Sequence, residues 1–366
     1  MRFLFFQTTL LKVFLRPLIS KILICCCVLT ALLEILALLD DASTILDRNL
    51  GFIGILKYVG LHLPTLLVEI MPLSVMIGGL FTLLRMALSS EIAVLRAAGL
   101  STLNMFRYLL PGPLLLSIIC IALKFWVVPP FEQELNRWWN EGATQAHATD
   151  DLHSLWFRTG SDIVRIESIS HGGNILSHVT LYRRDPEGGA LTATQYYENL
   201  TYENKQWVAH GTFSRINLYQ NNTQAKITSE FFPPSLAVTP TEIINMTLPG
   251  IYYTPHQFRE IFSGKAPLNL PKSNYFMALY AILFLPLQMA VMLLVTLPIT
   301  YIPPRAGLRT PLPVYVMAAG LGIVILQGMI SALGNAGSLP ILLAICSGQV
   351  VAALFSLAWI LRMEEK

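Results

Sequence analysis

The chain has 366 residues, of which 54% are apolar and only 13% charged, against about 25% charged in an ordinary globular protein. That shortfall excludes a plain soluble fold, and it excludes disorder, which needs low hydrophobicity and high charge. A net charge of +3 offers no basic face on which phosphates could dominate binding, so nucleic acid is not an expected partner.

The charges are unevenly spread. Residues 129–272 hold 25 of the 47, as 11 Lys/Arg and 14 Asp/Glu, together with six of the seven His. The pattern predicts transmembrane helices over 1–128, a polar domain over 129–272, and transmembrane helices over 273–366. A spanning helix needs about 20 apolar residues, and six segments qualify, near 18–39, 61–84, 104–128, 275–301, 312–333 and 339–361. Pro64, Pro72, Pro111, Pro113, Pro286 and Pro298 lie in or beside them, which bundled helices tolerate because neighbours re-satisfy the freed backbone groups. The first run follows Lys12, Arg16 and Lys21 but is too long for a signal core, and no small-residue cleavage site precedes Asp40 and Asp41. It reads as a retained anchor. The five cysteines all sit in apolar runs, where thiols act as small hydrophobes.

Lys/Arg in short loops set orientation. With six spans, Arg2, Lys12, Arg16 and Lys21, then Arg85, Arg96 and Arg107, then Arg305 and Arg309, and finally Arg362 and Lys366 fall on one side. That side is expected to be cytoplasmic, with both termini, and the 129–272 domain is expected to face outward. From 155 to 245 this domain has short runs rich in Val, Ile, Thr, Tyr and Phe between turn clusters such as His171-Gly-Gly-Asn174 and Glu203-Asn-Lys205. Strands are expected over Asp162–Ile169, Ser177–Tyr182, Thr192–Thr201, Gln206–Leu218 and Ala225–Phe231, as an antiparallel sandwich, jelly roll or open barrel. A strand edge left open would suit pairing with a partner.

The loop between spans 2 and 3 predicts a short cytoplasmic helix over about 89–99. Ser89 or Ser90 can cap it, Glu91 suits its positive first turn, and Gly99 can close it in the left-handed conformation. Ile92, Leu95 and Ala98 form an apolar stripe at helical spacing. The stripe either lies against its own bundle or docks into a cytoplasmic partner; both readings stay open here.

Other constellations are weaker. His147, Asp150, Asp151 and His153 resemble a metal set, but no single helix face gathers all four. Glu132 and Glu134 flank Gln133 without the spacing that makes two carboxylates face each other. Gly264-Lys265 is followed by Ala266, without the hydroxyl that a phosphate loop supplies for magnesium, so nucleotide energy is expected from another subunit. Glu34, Glu69 and Lys124 lie in the outer halves of their spans, where reaching back to the interface is the simplest explanation. Gln288, Gln327 and Gln349 suit helix-to-helix hydrogen bonds. Lys124 and Arg137, near the outer mouth, suit an anionic lipid headgroup.

Together, Pro64, Pro72-Leu73, and Ser90-Glu91 followed by Ala97, Gly99 and Ser101 resemble the second span and coupling helix of the LptF/LptG permeases of bacterial lipopolysaccharide export. The six-span order with a β domain after span 3 is similar to that family over the whole chain. Val128-Pro129 with Glu132-Gln133, and Leu155-Trp-Phe-Arg-Thr-Gly-Ser-Asp-Ile-Val-Arg-Ile166, look like the LptG-type version. The resemblance implies a polytopic α-helical membrane protein with six transmembrane helices and an inserted antiparallel, jelly-roll-like periplasmic domain between helices 3 and 4. It implies an inner-membrane permease subunit of an ABC exporter. Its partners would be an LptF-like permease in a heterodimer, an LptB-like ATPase dimer holding ATP and magnesium, and LptC-like and bridge jelly-roll proteins. This chain itself would bind no cofactor and catalyse no reaction. Coupling to the ATPase falls on Ser90, Glu91, Leu95, Ala97 and Gly99. The lipid path falls on Leu32, Leu36 and Leu39 of span 1 and on Val316, Ile323 and Gln327 of span 5, with Lys124 and Arg137 toward the headgroup. One departure stands out: where LptG-type proteins often carry lysines at the outer end of span 1, this chain has Glu34, Asp40 and Asp41. Headgroup contacts then shift to Lys57, Lys124 or Arg137, or to bridging divalent cations. The rivals are an LptF-type subunit of the same exporter, a membrane enzyme acting on lipid-linked sugars through the 132–153 acids and histidines, and a secondary transporter, which would place ionisable groups at the midplane.

Overall fold

A computed structural model describes residues 8–42, 45, 51–143, 154–185, 189–219, 222–228, 233–234, 236–248, 250–264, 266–303 and 310–364. The chain divides into two compact units: 1–43, 63–127 and 276–366 form one, and 44–62 with 128–275 form the other.

The first unit is helical. Helix α1 (Thr8–Asp40) buries Phe14, Leu18, Ile22, Cys26, Thr30 and Glu34, a row advancing by four residues that makes one packing ridge. The opposite side exposes Ile24, Val28, Leu32, Ile35, Leu36 and Leu39. Helix α2 (Gly51–Leu88) runs through Pro64 and Pro72, and at Gly78 it comes so close to α1 that a Cβ there would lie 2.7 Å from the Ile22 Cα. After a short helix α3 (Glu91–Ala97), the third apolar run of this unit is built from α4 (Thr102–Leu109), α5 (Pro111–Ala122) and a π-helical turn at Leu123–Val127; α6 (Val128–Ala143), next in the chain, belongs to the second unit. Helices α9 (Lys272–Leu283) and α10 (Leu285–Thr296) meet at a 58° bend, and α10 passes into a 3-10 turn at Leu297–Tyr301. Helices α11 (Leu312–Asn335) and α12 (Ile341–Glu364) close the unit. Among the described residues five helices are long and apolar enough to cross a membrane, and six when the bent pair counts as one. The bend falls where Pro286 removes a backbone donor.

The second unit carries a six-stranded antiparallel sheet with strands in sequence order: β1 (Leu155–Thr159), β2 (Asp162–Ser170), β3 (Ile175–Arg184), β4 (Leu191–Glu203), β5 (Gln206–Tyr219) and β6 (Asn222–Thr228). Register pairs such as Val164↔Leu181 and Val179↔Tyr197 stack the buried residues of alternate positions on one face. Leu236, Val238, Ile243 and Met246 cover that face, and the Trp207 Nε1 donates to the Val238 carbonyl at 2.7 Å. A jelly roll needs two Greek keys; the sequential order makes these strands a meander instead. Short hairpin links between successive strands, all five of them two to six residues long, favour this neighbour-to-neighbour pairing. Outside β1, Arg158 and Leu268 exchange backbone hydrogen bonds of 2.8 and 2.9 Å.

Two helices follow the sheet, α7 (Pro240–Thr247) and α8 (Pro255–Phe262). Each opens on a reciprocal cap, Thr239 with Glu242 and Thr254 with Gln257, and each has proline in its first turn. Helix α7 sits against the turn at Gly173, whose φ is +85° and where a Cβ would stand 2.8 Å from the Pro240 carbonyl oxygen. Only glycine fits that approach.

Candidate partner-docking site

Helix α2 ends with Arg85 in its last turn, and the chain reverses through Ser89 and Ser90 into α3. Ser90 does not cap with its side chain, contrary to expectation. Its φ of +63° turns the chain, while the Ser89 hydroxyl donates to the Glu91 carboxylate at 2.8 Å. The reversal uses Ser90 as a left-handed residue, and that conformation points its hydroxyl away from the free amides of the first turn. The C-terminus matches expectation: Gly99, at φ +86°, donates to the Arg96 carbonyl, and Leu100 donates to the Leu95 carbonyl. This pair of bonds is the Schellman closure, with Leu95 and Leu100 both packed against the helical core. The Ser101 hydroxyl then caps α4 by accepting from the Asn104 amide at 3.3 Å.

The two faces of α3 differ. Ile92 is 2% exposed and Leu95 is partly buried, both against the chain's own bundle, so most of the apolar stripe is consumed at home. Ala98, the third stripe residue, is exposed, as are Ser90, Glu91, Val94, Ala97 and Gly99, with Val94 at 66%. The surface left for a partner is therefore this opposite side, an apolar strip headed by one carboxylate.

Arg96 anchors the helix from beneath. Its Nη2 donates to the Thr102 hydroxyl at 3.2 Å and to the Thr300 hydroxyl at 3.0 Å. Its guanidinium lies over the Tyr301 ring, 3.9 Å from the centroid, and the Tyr301 hydroxyl bonds to Thr102 at 3.0 Å. Thr300 in turn donates to the Leu297 carbonyl.

The expected lipid-path residues separate into groups. Leu32, Leu36 and Leu39 lie on the exposed side of α1. Val316 is fully buried in the helical core, because α11 turns that position inward; its exposed side carries Val314, Met317, Leu321 and Ile325. Ile323 is partly buried against the same core. Gln327 donates to Ser331 Oγ at 3.3 Å and to the Ala344 carbonyl at 3.1 Å, joining α11 to α12 where Gly348 leaves room for it.

The basic residues are engaged by carboxylates. Lys124 stands 3.6 Å from Glu69, Lys57 stands 3.8 Å from Glu134, and Arg137 pairs with the same Glu134. Glu34 does not reach back to an interface; it is 5% exposed, because it ends the buried ridge of α1. Glu132 is buried while Glu134 holds two cations, so these acids point into different surroundings. His147, Asp150, Asp151 and His153, with Arg305 and Arg309, lie outside the described residues. Among the described residues no three His, Cys, Asp or Glu gather as a metal site.

A family model for the lipopolysaccharide export system permeases LptF/LptG matches residues 12–362. The chain belongs to the LptF/LptG family. Two relatives named lipopolysaccharide export system permease protein LptG, from Escherichia coli K12 and from Escherichia coli O6:H1 strain CFT073, are each 20% identical over 303 residues. Those matches cover 80% of this chain and 81% of either relative. The match to the LptF/LptG family takes in both units and the α3 segment, and with the long apolar helices it fits a multi-pass membrane protein.

Proposed function

We propose that this chain is the LptG-type permease subunit of a lipopolysaccharide exporter in a bacterial inner membrane. Its termini and α3 would be cytoplasmic and its β unit periplasmic. An LptF-like permease would complete the heterodimer, an LptB-like ATPase dimer would supply ATP hydrolysis, and LptC-like and bridge proteins would receive the lipid. The LptG type is supported by the two named relatives.

The observation that carries the reading is the two-faced helix α3, fixed to its own bundle through Ile92, Leu95 and Arg96 while presenting Glu91, Val94 and Ala97 outward. A helix built this way moves its bundle when a partner moves it. Energy must come from outside, because drawing several acyl chains from a bilayer exposes many CH₂ groups at about 0.8 kcal/mol each. The exposed sides of α1 and α11 supply an apolar wall for those chains, with Leu32, Leu36 and Leu39 on one and Met317 and Leu321 on the other. Ile323 and Gln327 lie deeper beside it. Lys124 and Arg137 would meet headgroup phosphates by exchanging Glu69 and Glu134 for them.

Affinity purification from native membranes tests this. The wild-type chain should bring down an ATPase and a second, LptF-like permease, and its depletion should retain lipopolysaccharide in the inner membrane. Glu91→Lys and Val94→Arg should each abolish ATPase recovery while leaving the chain folded. Recovery of no ATPase by the wild type, or undiminished export by both variants, would overturn the reading.

A further inference from the structure

We infer that Arg96 is the positioning residue through which motion of α3 reaches the bent transmembrane helix pair, so that it sets how much lipid movement each ATP produces. This rests on the coupling role proposed for α3 and adds the transmission step beneath it.

The geometry argues for transmission rather than simple anchoring. The two hydrogens on Arg96 Nη2 go to two different elements, Thr102 at the start of α4 and Thr300 in the 3-10 turn that ends α10. The guanidinium face also covers the Tyr301 ring, and Tyr301 closes the loop by bonding back to Thr102. One planar cation thereby ties α3, α4 and the end of α10 through a ring of three side chains, Arg96, Thr102 and Tyr301, with Thr300 as a further partner. Ile92 and Leu95 add apolar contact, which is non-directional and lets α3 slide. The Arg96 contacts are directional in three ways, two hydrogen bonds and one stack, and fix register. The outward face of α3 does not include them, so a partner can bind α3 without touching Arg96.

Lysine cannot reproduce this arrangement, because its ammonium lacks the flat face and fixed fork of a guanidinium. The test uses the complete exporter, purified with its ATPase and reconstituted in vesicles with lipopolysaccharide. Variants are Arg96→Lys, Arg96→Ala, Tyr301→Leu and the Arg96→Ala/Tyr301→Leu pair. Recovery of ATPase, ATP hydrolysis and lipid released per ATP are measured separately. We expect ATPase recovery unchanged and hydrolysis within about twofold of wild type, while lipid released per ATP falls at least fivefold in each single variant. The double variant should be no worse than the singles, since both break one link. Unchanged lipid per ATP, a fall only in proportion to hydrolysis, or loss of ATPase recovery in Arg96→Lys and Tyr301→Leu alike would overturn the inference. Failure of the wild-type chain to bring down any ATPase would instead defeat the underlying coupling reading.

Discussion

Gly78 and Ile22 touch backbone to backbone: a Cβ on Gly78 would lie 2.7 Å from both the nitrogen and the Cα of Ile22. No side-chain rotation can relieve that approach, so α1 and α2 are held together by the absence of a methyl group. Gly78→Ala should therefore force the helices apart at a cost of about 1–3 kcal/mol. Tryptophan fluorescence during thermal unfolding in detergent should show a lower Tm for this variant. Gly60→Ala, in the same helix with nothing within 4 Å, is the control. It should be neutral or more stable by about 0.5–1 kcal/mol.

The pair Lys124–Glu69 separates charge balance from ligand contact. Lys124→Glu places two carboxylates together, and both stability and export should fall. The exchange Lys124→Glu with Glu69→Lys should restore stability. If Lys124 meets an anionic headgroup, export should stay low in the exchanged protein, as read by lipid released per ATP. Full recovery of export would leave Lys124 a structural role only.

Glu198 offers a pH test in the β unit. Its carboxylate accepts from the Thr212 amide at 2.7 Å and from the Thr212 hydroxyl at 2.8 Å, and these bonds, the backbone one first, hold its pKa below the usual carboxylate value. A folded pKa below the unfolded one, about 4.3, stabilises above that value and stops doing so as pH falls through the folded pKa. Glu198→Gln should therefore lower Tm at neutral pH, with the gap to wild type closing as the pH drops below about 4. A gap independent of pH would remove the carboxylate from the explanation.

Trp207 predicts a cost of a different kind. Its indole N–H donates to the carbonyl of buried Val238, and its ring packs against Tyr202 at 5.0 Å. Trp207→Phe keeps most of the ring and loses the donor, at a cost of about 1–3 kcal/mol for the carbonyl left behind. Hydrogen exchange should show faster opening of β4 and β5. In the same core, burial pushes the Tyr197 phenol up to about 12, so Tyr197 should not ionise before the β unit unfolds in alkali.

The parts of the fold legible in the sequence were those set by local pattern. Runs of about 20 apolar residues mark the spans, and alternating β-branched residues place five of the strands within a few residues of their ends. Gly99 was readable as the end of α3 because few other residues accept its conformation. Helices α7 and α8 were also readable, in Thr239-Pro-Thr-Glu242 and Thr254-Pro-His-Gln257, but the surrounding β pattern masked those signals. Tertiary facts were not readable. Val316 and Met317 are equivalent to a composition argument in an all-apolar helix, and only packing decides which one faces outward. Glu34 looked interfacial by charge, while its place on the row from Phe14 buries it. Two partners of Arg96, Thr300 and Tyr301, stand about 200 residues further along the chain, where no spacing rule reaches. The sequential strand order likewise depends on pairing that strand composition does not encode.

The buried row of α1 has a consequence for the helix as a surface. Steps of four residues in a helix of 3.6 per turn advance by about 40° each, so from Phe14 to Glu34 the packed side rotates by about half a revolution. Helix α1 is thus a ribbon with a half twist. The exposed flank at Val13 and the exposed flank at Leu36 are turned from each other by about 140°, and two different neighbours can lie along one helix without competing for the same strip.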